Sequence, residues 1–306
     1  MSSKRILITL GDPNGIGLEI TLKCLDNLSI DKHKNISIIG LEHVWNLYAS
    51  KYNNITFYPI KDDYIPEYGI TSPHAGRVAI KSLDRAIELI KSKHYHGLLT
   101  APISKEAIYL SGISNFVGHT EYLGQAFNCQ SEMLFWSPKW SVILLSSHIP
   151  LKDVFSYITK ERCYHIFKLA IEFNQKYLKG EIAVCGLNPH ASENGIIGDT
   201  ELTIFTPIIK ELALKYPISG PYSSDTIFQD AENNKYTMLI ACYHDQALIP
   251  FKLLHFNDGV NVTLGLPFIR TSPDHGTAFD IVNQNKANPQ SMISALNFIL
   301  KALNQV

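Results

Sequence analysis

Short apolar runs alternate with longer segments of helical periodicity through most of the chain. Arg5–Leu10, Ile36–Ile39, Ile55–Tyr58 and Gly97–Thr100 have the length and apolar content of buried strands. Between them, 18–28, 42–49 and a long segment from Ser72 to about Lys93 predict helices. The last carries Val78, Ile80, Leu83, Ile87 and Ile90 roughly on one face, with Ser72 as N-cap and Pro73 in the first turn. Residues 59–72 hold Pro59, Pro66 and Gly69 and read as a loop. Further on, Met133–Phe135 and Ser141–Leu145 predict paired strands across a turn at Ser137-Pro138-Lys139. Glu181–Gly186 and Tyr236–Cys242 predict two more strands. Helices are expected at 160–179, 201–215, 277–286 and 289–303, and another starts at Gly118-His119-Thr120-Glu121. Alternation of this kind predicts an α/β fold, a parallel sheet with helices on both faces.

A chain of 306 residues is long for one core and sufficient for two lobes. With 45% hydrophobic and 18% charged residues it is globular. The net charge of −1 and the lack of a basic run give no reason to expect nucleic acid or a membrane surface as partner. No stretch reaches the ~18 apolar residues of a membrane span. The opening MSSKRILITLGDPNG has too short an apolar run for a signal peptide, and Asp12-Pro13 breaks it. Five widely spaced cysteines without a CxxC argue against a disulfide framework and for a reducing, cytoplasmic location. Cys185 and Cys242 read as core residues.

Candidate chemistry concentrates in residues 240–280. There Tyr243 is followed by His244 and Asp245, then by Lys252, Asn261 and Arg270, and then by Asp274-His275-Gly276-Thr277-Ala278. These polar groups at the ends of apolar runs are expected on loops at a sheet edge, where open α/β proteins build their sites. His148, His190 and His244 each fall just past the end of a predicted strand, so a parallel sheet can bring them together. Three imidazoles suit a divalent ion with positions left open; spacing alone, with no HxH or HExxH pattern, favours three unrelated loop histidines. His119-Thr120 at a helix start can hold a phosphate or carboxylate, or can be a plain cap. Gly11–Gly17 (GDPNGIG) can cradle an anion on backbone N–H groups, or can be a tight turn.

Seven motifs carry a resemblance. They are GDPNGIGLE (11–19), TAPISKEA (100–107), GHTEYL (118–123), GLNPHASENG (186–195), GPYSSDTIF (220–228), YHDQALIPFK (243–252) and GVNVTLGLPFIRTSPDHGTAFDI (259–281). In this order they resemble the 4-hydroxythreonine-4-phosphate dehydrogenase family of vitamin B6 biosynthesis. The resemblance implies two α/β/α lobes with mostly parallel sheets, similar to isocitrate and isopropylmalate dehydrogenases, with the active site in the cleft between lobes at a homodimer interface. Residues 1–118 with 266–306 are the expected first lobe. Residues 119–265 are the expected second, carrying the metal-ligand histidines and the dimer interface.

By the same resemblance, His148, His190 and His244 are metal ligands, drawn from both subunits. His119, Thr120, Lys252, Asn261 and Arg270 bind substrate, Asp225 and Asp245 orient it or act in catalysis, and His275, Gly276, Thr277 and Ala278 line the cofactor pocket. The implied reaction is NAD-dependent oxidation (or NADP in its place) of 4-phosphooxy-L-threonine to a β-keto acid, which decarboxylates to 3-amino-2-oxopropyl phosphate. The implied metal is Zn, Co, Mg or Mn. The loop HASENG departs from the family's HAGEGG-like pattern at Ser192 and Asn194, and the chain is somewhat short for the family. Two other readings remain: a paralogue acting on threonate or erythronate 4-phosphate, and a phosphate-ester-binding acyltransferase on a related fold.

Overall fold

The apolar runs become strands in the computed structural model, which describes residues 4–304. In chain order these are β1 (Ile6–Thr9), β2 (Ile36–Leu41), β3 (Thr56–Ile60), β4 (Gly97–Thr100), β5 (Glu132–Trp136), β6 (Ser141–Leu144), β7 (Ile182–Cys185), β8 (Ile218–Tyr222), β9 (Met238–Ala241), β10 (Val260–Leu264) and β11 (Ile269–Pro273). β1, β2, β4, β6, β7 and β9 are buried at every position, as strands in the middle of a helix-covered sheet must be.

The chain divides into two compact units, one holding the residues up to Ser131 with Val260–Asn304, the other Glu132–Gly259. In the first the strand order is β3-β2-β1-β4-β11-β10, parallel except for the antiparallel β10–β11 pair. In the second it is β5-β6-β9-β7-β8, parallel except for β5–β6. The architecture is α/β with mostly parallel sheets. The helix Pro73–Lys91 buries Val78, Ile80, Leu83, Ile87 and Ile90, and Ser72 Oγ accepts from His74 N at 3.3 Å as its cap.

The divisions fall later than 118/119 and earlier than 265/266, for a packing reason. Leu123, on the helix His119–Ala126, joins the first unit's core with Leu7, Val78 and Leu98. β10 pairs with β11 over Val260–Thr263. Residues 1–3 and 305–306 of the expected first lobe lie outside the described residues.

Two local expectations fail. Residues 279–285 form turns, not a helix, with left-handed backbone at Ala278, Asn283 and Asn285. The expected loops of 240–280 are instead largely regular structure: a helix, His244–His255, followed by β10 and β11.

Candidate active site

In the second unit β6, β9 and β7 run parallel and in register, so the segments after them leave from one edge of the sheet. Those segments carry His148, His244 and His190. The His148 and His244 rings lie 5.9 Å apart between centroids, tilted by 42°. Asp245 Oδ1 is 2.7 Å from His244 Nδ1. A carboxylate there holds the proton on Nδ1 and leaves the Nε2 lone pair available as a ligand. This donor set fits a borderline divalent ion.

The ligand atoms of the three histidines do not gather within 4.8 Å of one another in a single chain. Among the described residues the group that does is Asp62, Asp63 and His74. It already holds a cation: Lys81 Nζ lies 2.7 Å from Asp62 Oδ2, and that pairing, with His74 at 2.8 Å, lowers the Asp62 carboxyl to about 2.

His190 stands in an unusual segment. His190, Ala191, Ser192, Glu193 and Asn194 all have positive φ between 45° and 67°. Buried Glu201 anchors the start of this segment, accepting from Asn188 N at 2.6 Å and from Asn188 Nδ2 at 2.9 Å. Asp225 is close enough for the His190 imidazole to act on it. Its carboxyl is lowered mainly by Ser223 Oγ, which donates at 2.5 Å, with a smaller contribution from His190. Lys252 lies half-buried on the helix His244–His255.

In the first unit β4 and β11 are parallel neighbours, and Arg270 on β11 is fully enclosed. Its Nη1 donates to Thr263 Oγ1 at 2.9 Å and its Nη2 to Thr100 Oγ1 at 2.6 Å. Thr263 Oγ1 is 3.3 Å from Thr120 Oγ1. Thr120 therefore joins a hydroxyl cluster around the guanidinium. The cap of the helix His119–Ala126 is Gly118, with no side-chain cap bond. A side chain at 118 would meet Glu121 Oε2 at 2.9 Å and approach Lys105 Nζ at 3.8 Å. Desolvation, reinforced by the Arg270 and Lys105 cations, holds the His119 imidazole well below the ordinary histidine range, so it is neutral near pH 7. A neutral imidazole, a buried guanidinium, threonine hydroxyls and an open helix start can receive an anion.

Some of the buried polar atoms without a hydrogen-bond partner belong to candidate site residues, and others, such as those of Ser141, His165 and His255, do not. Those in the candidate residues and motifs include Arg270 Nε, Asn261 Oδ1, His275 Nε2, Ser192 Oγ and Asp12 Oδ2. Orphans of this kind are rare in proteins, and each asks for a ligand or an explanation. The glycine turn resolves towards the structural reading. The backbone N–H groups of Asp12, Asn14, Gly15 and Ile16 all have partners within the protein, and at Gly11, with φ 71°, a side chain would run into Pro102 O. Ile16 N donates to Thr277 O at 3.1 Å, joining this turn to the 275–278 segment. Gly276 has open space where a side chain would stand, and His275 Nε2 is an unused polar atom beside it; a dinucleotide can be seated on such a segment.

The model of the family described as pyridoxal phosphate biosynthetic protein PdxA matches residues 4–299. The chain belongs to the PdxA family. A 4-hydroxythreonine-4-phosphate dehydrogenase from Sulfurihydrogenibium sp. is 40% identical, over 97% of each chain. A D-threonate 4-phosphate dehydrogenase from Salmonella typhimurium is 37% identical, over 98% of this chain and 99% of that one. Among solved structures, the 4-hydroxythreonine-4-phosphate dehydrogenase of Klebsiella pneumoniae superposes with a TM-score of 0.82 at 33% identity, over 99% of each chain. An isocitrate dehydrogenase from Methylococcus capsulatus shares the fold alone, with a TM-score of 0.54 at 14% identity over 99% of this chain and 86% of that one. For this PdxA chain, no helix among the described residues is long and apolar enough to cross a membrane.

Sequence reading singled out His148 and His244, which the structure brings together, and Thr120 and Arg270, which it joins through Thr263. It passed over Asp12, Lys105, Glu201 and Gln246. Their sequence signal is only membership of the motifs, or of a helix; the bonds that join Gln246 to Gly186 and Ser224, and Glu201 to Asn188, span 13 to 60 residues of sequence.

Proposed function

We propose that this PdxA-family chain is a metal-dependent, NAD-dependent 4-hydroxythreonine-4-phosphate dehydrogenase. The reaction oxidises the secondary alcohol of 4-phosphooxy-L-threonine, and the β-keto acid formed loses carbon dioxide to give 3-amino-2-oxopropyl phosphate. The observation that carries the reading is the Arg270 cluster. A fully enclosed guanidinium with an unpartnered Nε, set among threonine hydroxyls beside a neutral imidazole, is what binding a doubly charged phosphate ester requires.

His119, Thr120 and Arg270 are assigned to the phosphate, and Lys252 and Asn261 to the remaining polar groups of the substrate. Asp225 or Asp245 is assigned to the substrate ammonium. Asp245 also orients His244, and Asp245 and Lys252 are both candidates to take the alcohol proton. His148, His190 and His244 would hold the divalent ion, and residues 275–278 the nicotinamide cofactor. When bound, the ion polarises the substrate oxygen and the cofactor takes up the two electrons of the oxidation.

The homodimer is part of the proposal. The helix His244–His255 buries Ala247, Leu248 and Phe251 on one side, yet Ile249, Leu253 and, just past its end, Phe256 are exposed. Apolar residues at that spacing share a second face, and a helix apolar on two faces calls for cover on both. A second copy placed there could also complete the imidazole set. The D-threonate 4-phosphate dehydrogenase at 37% identity supports a second reading with the same chemistry on a hydroxy acid.

The test is to offer 4-phosphooxy-L-threonine and D-threonate 4-phosphate side by side with NAD, with and without a chelator. Chelator-sensitive formation of reduced nicotinamide with the amino substrate supports the first reading. Preference for the hydroxy substrate supports the second. No reduction of NAD with either would remove both and favour the acyltransferase.

A further inference from the structure

The side-chain amide of Gln246 touches three chain segments at once. Its Oε1 accepts from Cys242 N at 2.6 Å, and its Nε2 donates to Gly186 O at 2.8 Å and to Ser224 Oγ at 2.9 Å. Ser224 Oγ donates to the same Gly186 carbonyl at 2.8 Å, closing a small ring of hydrogen bonds. Each segment leads directly to a residue of the candidate site: Cys242 to His244, Gly186 to His190, and Ser224 to Asp225. The network extends one step further. Cys242 O accepts from Ser146 N at 3.1 Å and from Ser146 Oγ at 2.8 Å, at the start of the segment bearing His148.

We propose that Gln246 is a positioning residue for the imidazole set. It fixes the segments that carry His190 and His244, and so the direction in which each imidazole presents its nitrogen to a metal ion. The inference rests on the reading of those histidines as ligands. The position needs one acceptor and two donors on a planar group of fixed length, and glutamine supplies all three. Groups that orient ligands in this way influence metal affinity without touching the ion.

A simpler role has to be separated from this one. A glutamine in the first turn of a helix can reach back to a preceding backbone N–H and act only as a cap. The bond to Cys242 N is of that type; the bonds to Gly186 and Ser224 are not. Gln246→Glu distinguishes the two, because a carboxylate still accepts from Cys242 N but cannot donate, and it sets negative charge against the Gly186 carbonyl. Gln246→Met removes all three bonds at similar length.

The experiment is calorimetric titration of the metal-free full chain with Zn2+ and Co2+, alongside thermal melting and the Co2+ absorption spectrum. Gln246→Glu and Gln246→Met are both expected to bind either ion roughly ten- to a hundredfold more weakly, with a changed Co2+ spectrum, and Gln246→Glu, which keeps the bond to Cys242 N, is expected to lower the metal-free melting temperature less than Gln246→Met. Unchanged affinity and spectrum in both variants would overturn the proposal and leave a cap. If either variant fails to fold, Ser224→Ala, which breaks the ring at its edge, gives the same readout with a smaller shift. His244→Ala is the control. If it binds metal as tightly as the parent, the ligand assignment itself is wrong; if it loses metal while the Gln246 variants do not, only the positioning role falls.

Discussion

A guanidinium with 2% of its surface exposed, two threonine acceptors and an unpartnered Nε bears a desolvation penalty that the protein only partly offsets. Burial pulls Arg270 down to about 9, with Glu121 opposing, so it stays charged at pH 7. Arg270→Lys keeps the charge but cannot reach Thr100 and Thr263 together. Loss of a charged hydrogen bond is worth about 2 kcal/mol, so kcat/KM for the phosphorylated substrate should fall about thirtyfold or more, while the calorimetric Kd for NAD is unchanged. An equal loss in NAD affinity would move Arg270 to the cofactor site. Asp12 is a second buried ionisable group that lacks a full set of partners, 1% exposed, with Oδ2 unpartnered. Desolvation raises its carboxyl to about 6, although the Asn14 and Ser104 backbone amides pull the other way. With the unfolded carboxyl near 3.8, the folded state holds more protons between about pH 4 and 6. The carboxyl's contribution is therefore most favourable below pH 4 and is lost as pH rises through 6, by about 3 kcal/mol in all. Asp12→Asn should remove this slope: denaturant melts at pH 4 and 7 should show the variant gaining on the parent as pH rises. The absence of any pH-dependent difference would mean Asp12 is ionised in the fold at no penalty. Arg270 was legible in the sequence because its type and motif announce anion binding. Asp12 was not, because an aspartate in a Gly-Pro turn looks like an ordinary turn residue until its burial is known.

Strand-helix alternation was readable where apolar runs were continuous, as in β1, β4, β6, β7 and β9. It failed where polar residues interrupt a strand. β10 (VNVTL) and β11 (IRTSP) carry Asn261, Arg270 and Thr263 on a sheet that turns these side chains inward, so the composition resembled a loop. The helix His244–His255 was missed because Pro250 lies inside it and apolar residues occupy more than one face. The segment 190–194 shows the reverse case, where a departure seen in the sequence acquires a structural meaning. Ser192 and Asn194 replace glycines of the family pattern at positions with φ 67° and 56°. Asparagine tolerates the left-handed region, whereas serine does not, and Ser192 is also fully buried with an unpartnered hydroxyl. Ser192→Gly should relieve both, stabilising the protein by about 1–2 kcal/mol and raising its melting temperature without weakening Zn2+ binding. A lowered melting temperature would show that the Ser192 hydroxyl has a partner in the assembled protein.

For the molecule as a whole, the sequence supplied two lobes, and the structure moved their limits to follow the helix His119–Ala126 and β10. As a result His119, Thr120, Asn261 and Arg270 sit on the first unit, while all three candidate ligand histidines sit on the second. Within that unit His148 and His244 lie side by side, but the three do not form a compact set. This arrangement makes assembly testable in a specific way. If a C2 homodimer completes the site, one subunit provides His148 with His244 and the other provides His190. Mixing inactive His148→Ala with inactive His190→Ala, under conditions of subunit exchange, then yields heterodimers with one site doubly mutated and one intact. About a quarter of the parent activity should return at random exchange of equal amounts. Mixing His148→Ala with His244→Ala should restore nothing, because each site in such a heterodimer lacks one member of the same-chain pair. The same logic predicts that Leu253→Glu, which sets a charge on the exposed apolar face, shifts the protein to monomer in analytical ultracentrifugation and lowers Zn2+ affinity with it. Recovery from the His148 and His244 pair, with none from the His148 and His190 pair, would show that His244 rather than His190 crosses the interface. No recovery in either mixture, once exchange is demonstrated by mass, would show that each chain builds its metal site alone.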